Sequence, residues 1–429
     1  MIDTATSEAA RSDAVQTETD RSPWPAEDGG PERQQCVTGH FLGSADSTRL
    51  KSHSRRTWVS TMTVLGAPGE VYLLTHSALR ARIGLSTTAQ VERIHPETLE
   101  TLERSPRLPG GPMWPGGLAL HASGDLHLVY GNHVHRLDRQ CQPLASRQLP
   151  GQEPYNGFIT LPGGPLVTKN LSRTQPAKLL VLHPRTLEPL GPPLVCPEPS
   201  VARLSAQGNT VYVAGMHSVM RYHWDARSAR LLPDIGWRWD YLAGSRNSFG
   251  WDLALAGGHA WFMDNGDHNY QWTMRGAGRR RSANRLLRVS LSNARDHASW
   301  EVSGRWGGCI TNPPLVDLRR NIVLAYDSGN AFLRAWDLQE GGQLSPRWER
   351  PGLGCASHML LYEDSGEVVT NDHHGLREEV VVLDISTGRE RARAATGGRM
   401  QGVVFPCPGW GRDLYWCSMD RITRLHVTD

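Results

Sequence analysis

Two short segments of this chain place carboxylates beside imidazoles: Asp264-Asn-Gly-Asp-His-Asn269 and Asn371-Asp-His-His374. Carboxylate with neutral imidazole is the composition of a divalent-metal site, and also of an acid/base pair, because His titrates near neutral pH. The first segment is oxygen-rich enough for calcium, although Gly266 falls too early for an EF-hand loop. The spacing nominates Asp264, Asp372 and His373 as ligands for calcium or a transition metal. The same three, with His358, are the candidate catalytic groups. The competing reading is that an Asp after a strand caps a tight turn by bonding its own backbone. That reading is preferred for Asp327 and Asp420. Cys355 lies three residues before His358. It reads either as a nucleophile or, preferably, as a small buried side chain.

The elements that must position these groups are short alternating strands. A strand–turn–strand unit recurs about every forty to fifty residues, the period of a β-propeller blade. Clear copies are Gly366-Glu-Val-Val-Thr-Asn followed by Val380-Val-Val-Leu-Asp384, and Asn209-Thr-Val-Tyr-Val-Ala followed by Ser218-Val-Met-Arg-Tyr222. Gly124, Gly164, Gly208 and Gly366 supply the positive φ that tight turns need. The expected fold is all-β: a single propeller of eight four-stranded blades, with seven as the alternative. The last unit has room for three strands only. An N-terminal strand, assigned to Val37–Leu42, is expected to complete it, because an open edge is an aggregation template. Residues 1–34 are rich in Ser, Thr, Asp, Glu, Pro and Gly and are expected to be a disordered tail, with the propeller spanning 35–429.

Innermost strands of a propeller line its central channel, and residues at their starts face one mouth. Alignment of the units puts Asn156, Asn312, His358 and Gln401 at matching positions, with Trp114, Trp251 and Asp252 near the same level. Together with Lys169, at the end of a second strand, Trp114, Asn156, Trp251, Asp252, Asn312 and Gln401 are the expected substrate-binding residues. The Arg-rich stretch Arg275–Arg285 and the segment Gly236-Trp-Arg-Trp-Asp-Tyr241 read as a lid able to clamp a carboxylate, phosphate or sulfate; a solvated insertion is the plainer alternative.

Several units resemble the repeat of quinoprotein-type propellers, the superfamily with pyrroloquinoline-quinone-like repeats. The residues that carry the resemblance are Leu383-Asp-Ile-Ser-Thr-Gly388 preceded by Gly366-Glu-Val-Val, with Arg136-Leu-Asp138 and Leu182-His-Pro-Arg-Thr-Leu187 as fainter copies. Phe262-Met-Asp-Asn-Gly266 is similar to a segment of arylsulfotransferase-like propellers. The resemblance implies the fold. Quinone dehydrogenases of the superfamily keep a Trp shortly after the Thr-Gly, where this chain has Arg389-Glu390-Arg391, so quinone (PQQ) dependence is not expected.

Among 429 residues the formal net charge is only +3, which gives no footprint for nucleic acid. No apolar run is long enough to span a membrane. The first residues carry no basic, apolar leader, and seven Cys show no pairing pattern, so a reduced, cytoplasmic, bacterial-type setting is expected. Trp outnumbers Phe 15 to 6, which suits pocket walls as well as blade interfaces. The expected function is an enzyme acting on a small organic substrate in the funnel, by acid/base or metal-assisted chemistry of lyase, isomerase, cyclase or hydrolase type. A non-catalytic propeller that binds a protein or small molecule is the alternative.

Overall fold

The computed structural model describes residues 22–44, 49–83, 85–112 and 115–428. Apart from one short parallel pairing, its sheets are antiparallel and built largely from consecutive strands, as short apolar alternation and tight turns dictate. Five sheets have four strands each: units two to six, beginning at Gly117–Leu120, Ile159–Thr160, Ser205–Gln207, Ala254–Ala256 and Leu315–Asp317. Unit seven runs outward from Leu360–Tyr362 to Glu390–Ala395. The largest sheet is two units fused through one strand, Leu50–Leu65. The first half of that strand, Leu50–Arg56, pairs with Val427–Arg421 as the outer strand of unit eight. Its second half pairs with Val71–His76 as the inner strand of unit one. Among the described residues the pairings thus group into eight four-stranded units, consistent with a closed ring. No helix among the described residues is long and apolar enough to cross a membrane.

The edge of unit eight is therefore completed from the N-terminal side, but not by Val37–Leu42. Cys36–Val37 instead adds a short parallel strand inside the innermost strand of unit seven, Cys36 facing Leu361 and Val37 facing Tyr362. The long strand Leu50–Leu65 had more backbone to offer the open edge, and it takes it.

The expected disorder of residues 1–34 does not hold from residue 22 onward; the first 21 lie outside the described residues. Residues 24–37 run around the inside of the channel and bond one inner strand after another. Leu65 N donates to Trp24 O at 3.0 Å, Leu120 N to Pro25 O at 2.7 Å and Ala206 N to Pro31 O at 2.8 Å. Leu255 N then donates to Glu32 O at 2.9 Å and Leu361 N to Gln35 O at 2.8 Å. Gln35 fixes unit seven again, accepting from Met359 N at 2.8 Å, and reaches unit six by donating to Pro314 O at 2.9 Å. A Gly/Pro-rich stretch suits this path because inner strands leave donors that a backbone close to the axis can satisfy. The segment shuts the channel below the mouth.

Candidate active site

Above this segment lies a blind cavity of about 170 Å³. Trp251, Tyr270, Met274, Val403 and Phe405 form apolar walls, and Arg203, His358 and Asn312 add polar groups near its base. His268, Thr311, Pro115 and Met419 complete the lining.

The base is a buried charge cluster built from the N-terminal segment and the starts of inner strands. Asp28 Oδ1 lies 2.7 Å from His358 Nδ1, and Asp28 Oδ2 lies 3.0 Å from Arg33. Glu27 bridges two guanidinium groups, Arg33 at 2.7 Å and Arg203 at 2.9 Å. Asp252 accepts the Arg203 backbone N–H at 2.7 Å and lies 3.8 Å from its guanidinium. All six side chains are buried. Burial alone would raise the Asp28 carboxyl, but the charge and hydrogen bond of His358, then those of Arg33, hold it below its ordinary range. His358 thus meets Asp28 through Nδ1 and also lines the cavity. Phe405 braces the arrangement, its ring centroid 4.0 Å from that of His358 and 4.5 Å from the Arg203 guanidinium. Gly157 makes room for Glu27: its φ of +109° suits glycine, and a Cβ there would come within 2.4 Å of Glu27 Oε1.

Of the residues expected from sequence, His358 and Asp252 meet in this cluster, and Trp251 and Asn312 line the cavity. The others serve the scaffold. Asp264 receives Asn247 Nδ2 at 2.9 Å and Arg285 N at 2.8 Å, so it pins the root of the Arg-rich loop. Asp372 accepts Gly354 N at 2.8 Å and pairs with His374 and Arg393. His373 Nε2 contacts Arg399 O at 3.0 Å. Asp264, Asp372 and His373 do not come together as a group of metal-ligand atoms among the described residues, and none lines the cavity; each bonds within its own part of the ring. Asn156 donates to Val201 O at 3.0 Å. Gln401 accepts Met274 N at 2.6 Å, fixing a wall residue rather than meeting the cavity. Lys169 is buried with Nζ on Asn170 O and Ser200 O, and burial pulls its ammonium down to about 7. It does not line the cavity. Trp114 lies outside the described residues. Burial pushes the Cys355 thiol far up, against a nucleophilic role. Sequence reasoning missed Glu27, Asp28, Arg33 and Arg203. The available signal was Trp24, an apolar anchor within a polar stretch, followed by adjacent opposite charges.

Among the described residues, one group has ligand atoms close enough for a metal ion: Asp28, Asp252 and His358, within 4.8 Å of one another. Charge balance decides against it. Three carboxylates face two guanidinium groups, so one positive charge completes the cluster. A divalent ion would leave a positive excess beside the Arg33 and Arg203 guanidinium groups. Plasma mass spectrometry of the purified protein should therefore find no stoichiometric metal. About one ion per chain, lost in Asp252→Asn, would overturn this.

No protein-family model matches the sequence, and no curated protein does. Solved structures do. Quinohemoprotein alcohol dehydrogenase from Comamonas testosteroni aligns with a TM-score of 0.64 at 11% identity, covering 97% of this chain and 82% of that one. BamB from Moraxella catarrhalis aligns with a TM-score of 0.59 at 12% identity, over 88% of this chain and 99% of that one. The shared fold is the β-propeller. A Dos1 propeller is also similar, with a TM-score of 0.55 at 11% identity, covering 88% of this chain and 94% of that one. The quinone cofactor of the dehydrogenases does not suit this propeller. A multi-ring tricarboxylate would bring further negative charge to a base that already presents Glu27, Asp28 and Asp252, with Arg33 and Arg203 engaged by them.

Proposed function

We propose that this propeller is an enzyme that moves a proton on a small organic substrate held in the blind cavity, with His358 as general acid/base and Asp28 as its orienting carboxylate. The observation that carries this is the 2.7 Å contact between Asp28 Oδ1 and His358 Nδ1 at the base of an aromatic-walled cavity. A carboxylate on one imidazole nitrogen fixes the ring and stabilises its charged form, leaving the other nitrogen to exchange a proton with substrate. The apolar walls exclude water and strengthen that electrostatic coupling. Proton transfer at carbon or oxygen, as in a lyase or isomerase, needs nothing more than such a pair, and a cytoplasmic setting suits it.

The test is turnover of components of a small-metabolite extract, followed by mass spectrometry. His358→Asn should lower the rate about 10²–10⁴-fold, with the thermal melt close to wild type. Asp28→Asn should lower it as well. Undiminished turnover in His358→Asn removes the assignment. Failure of the wild type to consume any component favours a binding protein.

A further inference from the structure

The loops joining second to third strands, and those joining one unit to the next, emerge on the side of the cavity mouth. Arginine dominates this side. Arg173, Arg246, Arg275, Arg279, Arg280 and Arg281 are exposed there. The carboxylates of the same loops are mostly spent: Asp264, Asp327 and Asp372 are buried in hydrogen bonds, and Asp267 already faces Arg280 at 3.3 Å and Arg279 at 4.0 Å. On the opposite side, the turns within blades carry Asp125, Asp138, Asp225, Asp337 and Asp384, which balance the bases there. A chain with a net charge of only +3 thus directs its positive field at the mouth.

Two of these arginines stand beside residues of the cavity wall: Arg173 packs on Phe249, which meets Trp251, and Arg279 follows Gly278, which pairs with His268. The Arg173 guanidinium lies 5.0 Å from the Phe249 ring, which packs 6.0 Å from Trp251 on the cavity wall. His268, another wall residue, is held below its usual imidazole value mainly by burial and further by the charges of Arg173 and Arg279. Trp272 and Trp306, 57% and 72% exposed, stand on the same loops.

We propose that the ligand of this site is an organic anion: an apolar, ring-sized body that enters the cavity, with a carboxylate or phosphate head held at the rim by Arg173 and Arg279. This deepens, and for its catalytic part rests on, the acid/base reading of the same cavity. The orientation follows from where the charges are. Arg203 at the base is already engaged by Glu27 and Asp252, so a second anion there would meet carboxylates, whereas the rim offers solvated guanidinium groups. Such a mouth also speeds encounter with anions, an effect that salt screens.

Phenylacetate, its neutral isostere phenylacetamide, and phenethylamine separate the possibilities, with binding measured by titration calorimetry. Phenylacetate should bind at least tenfold more tightly than phenylacetamide at low salt, lose most of that preference in high salt, and exceed phenethylamine by more. The double variant Arg173→Gln/Arg279→Gln should erase the preference while keeping the melt of the wild type. Tighter binding of phenyl phosphate than of phenylacetate assigns a phosphate head; the reverse assigns a carboxylate. Equal binding of the three phenyl-acid-derived probes, no binding by any of them at millimolar concentration, or an unchanged preference in the double variant overturns the proposal. Anion preference in a wild-type protein that turns nothing over would leave this assignment standing and remove only the catalytic one.

Discussion

Replacing Arg33 by Ala should destabilise the protein by about 3–5 kcal/mol, the range for removing one partner of a buried ion pair. Arg33 is 2% exposed and pairs with both Glu27 and Asp28, while its Nε donates to Leu204 O at 2.7 Å. Without it, two carboxylates remain in a nearly dry channel with only Arg203 and His358 to answer them. The surrounding backbone has little slack. Asp28, Arg33 and Gln35 all hold left-handed φ values, 59°, 53° and 56°, a conformation that costs non-glycine residues energy and persists only where side-chain contacts impose it. Urea denaturation gives the number. The triple variant Arg33→Ala/Glu27→Gln/Asp28→Asn should lose less than Arg33→Ala alone, because it removes the stranded charges along with their partner. A single variant within about 1 kcal/mol of wild type would mean that the N-terminal segment is held by its backbone bonds and that the ion pairs add little.

The second large effect is acid lability from histidines far from the cavity. His76 is buried against Tyr130, with ring centroids 4.9 Å apart, and burial pulls its imidazole down to about 3. His127 and His135 are pulled to about 4 in the same way, each with Nε2 on a backbone carbonyl, those of Pro184 and Pro109. The sign follows from proton counting. Below about pH 6.5 the unfolded chain protonates these rings while the folded protein does not. Stability is therefore complete above that pH and is lost as pH falls toward the folded values. At pH 5 the loss is about 2 kcal/mol per residue. Comparison with His76→Phe isolates one site, since the buried carboxyls Asp264, Asp327 and Glu378, which burial pushes up and which act in the opposite sense, cancel in the difference. Between pH 7 and pH 5 the variant should gain about 2 kcal/mol on the wild type. A constant difference across that range would place a titrating ring at position 76.

The blades were legible because their signals are local. Val380–Leu383 carries an unbroken apolar run, Gly366 supplies the positive φ of a hairpin turn, and each strand pairs with its neighbour in sequence. His358, Asp252, Trp251 and Asn312 were legible for a related reason. They share one topological position, the approach to an inner strand, and propeller geometry aims that position at the mouth. Asp264 and Asp372 show where composition misleads. A carboxylate that bonds its own strand end and one that faces the channel look alike in sequence. The floor was not legible at all. Arg33 finds Leu204 at a separation of 171 residues, and nothing near Glu27 or Asp28 announces an imidazole at position 358. Order in 22–37 comes from partners spread around the ring, so a composition that cannot build a core alone was read as a tail.

That threaded segment has a consequence for how the chain is made. Residues 22–37 leave the ribosome before the partners that hold them, which lie in units one to seven, and Gln35 waits for Met359 across 324 residues. At synthesis rates of about 5–20 residues per second, the wait is about 16–65 s. The strand Leu50–Leu65 is likewise idle along half its length until Met419–Val427 emerges. The base of the site thus joins distant stretches of the nascent chain: Glu27 and Asp28 are made early, Asp252 with unit five and His358 only with unit seven. A chain stalled before unit seven carries Asp28 without His358 and Gln35 without Met359 and Leu361, so the base of the site is incomplete.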